Sequence, residues 1–151
     1  MDGESLLAFL RGHRLAVQSS VSPAGAPQAA VVGFAVTPAF EFVFDTLERT
    51  RKVANLRRDP RIALVVGGLA DGEERTAQIE GTADDPSGAD LERLLAVYFA
   101  RFPDGRARRS WPGITYVRVR PTWIRFSDFT TTPPTIVEFE GSALGFPGGP
   151  R

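Results

Sequence analysis

The chain has 151 residues, 42% hydrophobic and 24% charged, with 18 basic and 18 acidic side chains and a formal net charge of zero. That length fits one domain with a sizeable core, and the neutral balance argues against nucleic-acid binding, which draws on excess basic charge. The absence of cysteine excludes disulfides, thiolate nucleophiles and thiolate metal sites, and a single histidine, His13, cannot furnish a His-rich metal cluster.

No apolar run nears the roughly 18 residues of a membrane span. The opening MDGESLL, with acids ahead of a short apolar stretch, is unlike a secretory signal. A cytoplasmic protein without membrane contact is the expectation. In chain order, Leu6, Leu7 and Leu10 share a helical face that Gly12 ends. RLAVQSSV and QAAVVGFAV read as strands around the Pro/Gly turn SPAGAP. EFVFDT then continues the alternation of Phe40, Phe42 and Phe44 on one face. A short helix is predicted from Thr50 to Arg58, with Val53 and Leu56 inward, basic residues at its end and Pro60 forbidding continuation. RIALVV and RTAQIEGTA are further strands, the second interrupted at Gly81. Pro86 and Ser87 open a helix carrying Leu91, Leu94, Leu95 and Tyr98 in register.

PDGRARRSWPG reads as irregular or briefly helical, and ITYVRVRPTWIRFSDF as two strand pieces broken at Pro121. The Thr/Pro/Gly-rich tail reads as an extended arm ending in disorder. The predicted architecture is mainly β: about six or seven mostly antiparallel strands in a closed or partly closed barrel with two or three peripheral helices. Residues 1–129 form the domain and residues 130–151 the tail.

Seventeen arginines stand against one lysine, Lys52, which follows Thr50 and Arg51 at the start of the predicted second helix. The first turn of a helix has backbone N–H groups without intrahelical partners and the positive end of the macrodipole. A hydroxyl, a guanidinium and an ammonium there suit a phosphate. The plain alternative is a solvated basic helix surface.

The segment FVFDTLERTRKVANLRRDPRIALVV, followed by ERTAQIEGTA, resembles the flavin-binding split-barrel family typified by pyridoxamine 5′-phosphate oxidase. The shared features are a strand ending in Thr46, the triad Thr50–Lys52, NLRRDPR, IALVV and EGTA. The match spans roughly Gln28 to Ala83. The resemblance implies FMN, its phosphate gripped by Arg51 and Lys52 beside Thr50. Asp45 and Thr46 would approach the ribityl chain or ring through backbone groups. The family's flavin-contacting glutamine falls at Thr76, and Gln78, two residues on and on the same strand face, is a substitute. The resemblance also implies a homodimer with the cofactor at the subunit interface, and a deazaflavin fits the same motifs.

Several family features are missing. A second phosphate arginine and a strand lysine fall at Ala30 and Ala35, the C-terminal tryptophan at Ser127, and SDFTTTPP replaces an arginine/histidine motif. The resemblance therefore implies an oxidoreductase acting on an unidentified small molecule, not on pyridoxine or pyridoxamine phosphate. The alternative is a non-catalytic flavin- or haem-binding dimer, for which His13 would be the one candidate axial ligand. Glu80 and Asp128 are candidate proton donors, against solvated carboxylates as the plain alternative. Trp111 and Trp123 read as packing residues, and Arg106 to Ser110 as a solvated basic loop.

Overall fold

A computed structural model describes residues 1–144. Helix α1 (Gly3–Arg11) begins where the Asp2 carboxylate accepts the Ser5 N–H at 2.8 Å, and its fully buried Leu6 and Leu10 face the core. Strands β1 (Leu15–Val21) and β2 (Pro27–Gly33) pair as a hairpin around Gly25, whose φ of 82° suits the turn. Then come β3 (Ala35–Val36), β4 (Phe42–Leu47), α2 (Arg51–Arg58), β5 (Arg61–Gly67) and β6 (Arg75–Asp84). Helices α3 (Gly88–Arg101) and α4 (Gly105–Arg108) lead into the long β7 (Ile114–Asp128), β8 (Thr135–Glu140) and a final 3-10 turn.

All eight strands join one antiparallel sheet in the order β2-β1-β5-β6-β7-β4-β3, with β8 added to β7. β2 and β3 lie at opposite ends of that order, yet only Phe34 separates them in sequence. One residue spans less than 4 Å, so the sheet has to curl until its edges approach. The result is a curled half-barrel. Its interior is filled by Phe34, Phe42, Phe44, Leu64, Ile79 and Ile124, with α1 as a plug. A second apolar layer lies outside the barrel wall, where Leu94, Leu95, Tyr98 and Phe99 of α3 cover Val43 and Tyr116.

Two features depart from the sequence expectation. The stretch QAAVVGFAV is two strands, because the chain must cross between sheet edges at Phe34. ITYVRVRPTWIRFSD is one continuous strand, since a register shift between Glu80 and Gly81 accommodates Pro121 opposite Gly81. A Cβ at Gly81 would lie 2.5 Å from the Arg120 carbonyl oxygen, so glycine is required there. Within the 130–151 segment, residues 135–140 form β8 against β7, and the expected disordered end past Leu144 lies outside the described residues.

Candidate functional site

A cleft of about 350 Å3 lies between the β1–β2 hairpin and the start of α2, lined by Gln18, Ser20 and residues 28–30 on one side and 49–52 on the other. Thr50 is the N-cap of α2 but makes no capping hydrogen bond. Its hydroxyl lies 3.3 Å from the Thr46 hydroxyl instead. Lys52 Nζ donates to that same Thr46 oxygen at 3.2 Å. Three of the predicted residues thus converge at the positive end of the helix.

The first turn of α2 holds no acidic residue. It carries Arg51 and Lys52, cations where the dipole favours anions, and such placement costs about 0.3–1 kcal/mol apiece at the surface. Among the described residues neither has a carboxylate partner, whereas Arg57, Arg93, Arg108 and Arg118 all do. Burial lowers the Lys52 pKa below the ordinary 10.5. Uncapped N–H groups, two uncompensated cations and a hydroxyl pair form a cradle to which an anion would restore charge balance. These groups fit a phosphate.

The opposite wall is polar and uncharged. Asn55 Nδ2 donates to Ser20 Oγ at 3.1 Å and to Gln28 Oε1 at 2.9 Å, which ties α2 to both strands of the hairpin. Gln18 is 1% exposed, and its Oε1 has no hydrogen-bond partner among the described residues. Gln18, Ser20 and Gln28 were not singled out from sequence, and Asn55 stood there only as the first residue of the shared stretch NLRRDPR. A signal existed: Gln18 and Ser20 alternate with Ala16 on the inward face of β1, and Asn55 falls beside Leu56 on the buried side of α2. Polar side chains on a face that the periodicity assigns to the core mark a site or a network.

The other predicted residues lie elsewhere. Asp45 alternates with Thr46 on β4, so its side chain leaves by the other face, where Arg108 Nε donates to its carboxylate at 3.0 Å. Burial and then the Asp45 charge push the neighbouring Tyr98 up to about 12. Thr76 and Gln78 are on the outward face of β6 and do not line the cleft of Lys52. Gln78 is exposed there, with Val65 and Arg125 as cross-strand neighbours.

The remaining candidates are also placed. The basic stretch after Asp104 is not simply a solvated loop: Arg108 pairs with Asp45 and Asp104, Arg109 with Glu92, and Arg106 lies over the Phe99 ring. Trp111, expected to pack, is 52% exposed. Asp128 is engaged by Arg75 and Thr130, while Glu80 is exposed. A second, mostly apolar cleft of about 540 Å3 lies among α1, β3 and α3, with His13 at its edge. Both His13 ring nitrogens are engaged, Nδ1 with the Phe9 carbonyl at 2.9 Å and Nε2 with Glu73.

Residues 3–128 match the sequence model of the pyridoxamine 5′-phosphate oxidase family. Among solved structures, a haem-binding protein from Mycobacterium smegmatis superposes with a TM-score of 0.81 at 15% identity over 94% of this chain. The chain spans 59% of that protein's length. A pyridoxamine 5′-phosphate oxidase-related, FMN-binding protein from Nostoc punctiforme gives 0.67 at 12% identity, covering 91% of this chain and 88% of that one. The haem storage protein HutZ of Vibrio cholerae gives 0.67 at 14%, covering 80% and 91%. At such identities the likeness is one of fold alone.

Proposed function

The chain belongs to the pyridoxamine 5′-phosphate oxidase family, and from that premise we propose that it binds FMN by its phosphate at the N-terminus of α2 and acts as an oxidoreductase on a small molecule. The observation that carries this reading is the convergence of Lys52, Thr50 and Thr46 at an acid-free, uncapped helix start. When bound, the flavin ring supplies hydride or electron transfer, and the protein supplies binding and orientation. Lys52 contributes a compact charge, Arg51 a two-pronged donor and Thr50 a hydroxyl, while the Asn55 bridge keeps the hairpin wall at a fixed distance from α2. Asp45, committed to Arg108, contributes through its backbone only.

A homodimer is part of the proposal. Thr76 and Gln78 share the outward face with a cross-strand row formed by Val31, Val17 and Val65, of which Val31 is 59% exposed and Val65 36%. One chain keeps that face apart from the Lys52 cleft, so a cofactor touching both sets has to draw on a second copy. Apolar exposure of this kind fits such a contact.

A deazaflavin whose ribityl arm carries a phosphate would present an anion to the same cradle. Haem is less well supported, since neither nitrogen of His13 is free to ligate iron. The experiment is a fluorescence titration of the purified protein with FMN and with a deazaflavin, repeated on Arg51→Ala/Lys52→Ala. Saturable binding that the double variant loses by at least about tenfold is expected, from the worth of hydrogen bonds to charged groups. Unchanged affinity in the double variant would refute the phosphate site.

A further inference from the structure

We propose that Gln18 reads the hydroxylated chain next to the phosphate, so that the cleft selects a phosphorylated polyol over a phosphate ester without hydroxyls. The inference rests on the phosphate-cradle reading above. Gln18 is on the inward face of β1 directly opposite Ala30, whose methyl leaves the space over β2 open to the longer side chain. It is almost fully buried, lines the cleft, and has an Oε1 that no group of the described chain meets.

Its polar neighbours Ser20 and Gln28 accept from Asn55 through their oxygens, and neither makes a hydrogen bond to Gln18 Oε1. A carbonyl oxygen only accepts, and a buried acceptor left unpaired is costly. The facing wall is built the other way. Lys52, Arg51, Thr50 and the first N–H groups of α2 are suited to donate. A ligand that satisfies both walls therefore offers acceptor oxygens to α2 and at least one donor to Gln18. A sugar-alcohol phosphate has this pattern, with phosphate oxygens and an adjacent hydroxyl. The dianion of a simple monoester such as methyl phosphate has acceptors alone, whereas the hydrogenphosphate dianion keeps one P–OH.

The test is calorimetric titration at pH 8, where phosphate monoesters are mostly dianionic and carry no P–OH, with methyl phosphate and with ribitol 5-phosphate as probes. Wild type, Gln18→Leu and Lys52→Ala are compared. The wild type is expected to prefer ribitol 5-phosphate by about tenfold, the worth of one hydrogen bond to a buried partner. Gln18→Leu brings the two probes to within about twofold by weakening only the polyol, and it melts no lower than wild type, since leucine removes an unpaired polar group from a buried place. Equal affinities in the wild type, or a preference that survives in Gln18→Leu, would overturn the assignment. Lys52→Ala separates the two readings. If it weakens neither probe while Gln18→Leu abolishes the preference, the cradle fails and Gln18 stands. If neither probe binds the wild type, both fall.

Discussion

Lys52 is half-buried at the positive end of α2, and burial holds its pKa below the usual 10.5. An anion favours the protonated form, so its affinity is complete while Lys52 is charged and declines as pH rises through the lowered value. FMN affinity measured between pH 7 and pH 10 is thus predicted to weaken before an ordinary lysine would titrate. Lys52→Arg, which stays charged, flattens that profile. A decline of the same shape in Lys52→Arg would show that another group governs the dependence. At this scale the sequence was partly legible. Lys52 stood out as the single lysine among arginines, and its place at a helix start followed from Pro60 and the spacing of Val53 and Leu56. Gln18 carried only the signal of its inward place beside Ala16 on β1, and the alternation does not tell that its amide oxygen goes unpaired among the described residues.

The attachment of α3 to the barrel is a matter of elements. Arg118 of β7, 5% exposed, is gripped by Glu41, Asp84 and Asp90, and Arg93 of α3 holds Glu41 and Asp90. Hydrogen bonds from Arg93 hold Glu41 below its usual pKa against the opposing effect of burial. Burial pushes Asp84 up, but its bonds to Arg118 and the charges of Arg118 and Arg120 leave it lowered. Hydrogen bonds from Arg93 and Arg118 lower Asp90. Groups depressed in the folded state contribute stability that is present above their unfolded pKa and lost as pH falls through the folded one.

Arg118→Ala is predicted to cost about 3 kcal/mol in urea unfolding at pH 7, the lower end for breaking a buried pair, because Arg93 still accompanies Glu41. The difference between variant and wild type shrinks below about pH 4 as the carboxylates protonate. A cost under about 1 kcal/mol would contradict the cluster's role. α3 itself was legible from its leucine spacing and Pro86. The cluster was not, since Glu41, Asp84 and Arg118 come from three separate strands or turns. β8 was missed for a related reason: Thr135 to Glu140 follows two prolines, and only pairing with β7 makes it a strand.

For the whole molecule, the barrel follows from alternation, hairpin turns and the one-residue link at Phe34, and the sequence alone pointed to a closed or partly closed form. What it could not give was the sheet order, which depends on the long-range pairing of β1 with β5 and of β4 with β7. The proposed dimer follows from the same outward face. Val65→Arg is predicted to shift sedimentation from dimer to monomer while leaving the far-ultraviolet spectrum unchanged, and a wild type that sediments as a monomer would remove that part of the account.

The central claim is that the cofactor is held by its phosphate at the start of α2. The measurement that tests it most directly compares the affinities of FMN and riboflavin, which differ by that phosphate alone, for wild type and Lys52→Ala. The account predicts that wild type binds FMN at least about tenfold more tightly than riboflavin, and that Lys52→Ala loses most of this gap while riboflavin binding stays the same. Equal binding of the two by wild type, or a gap untouched in Lys52→Ala, would contradict it.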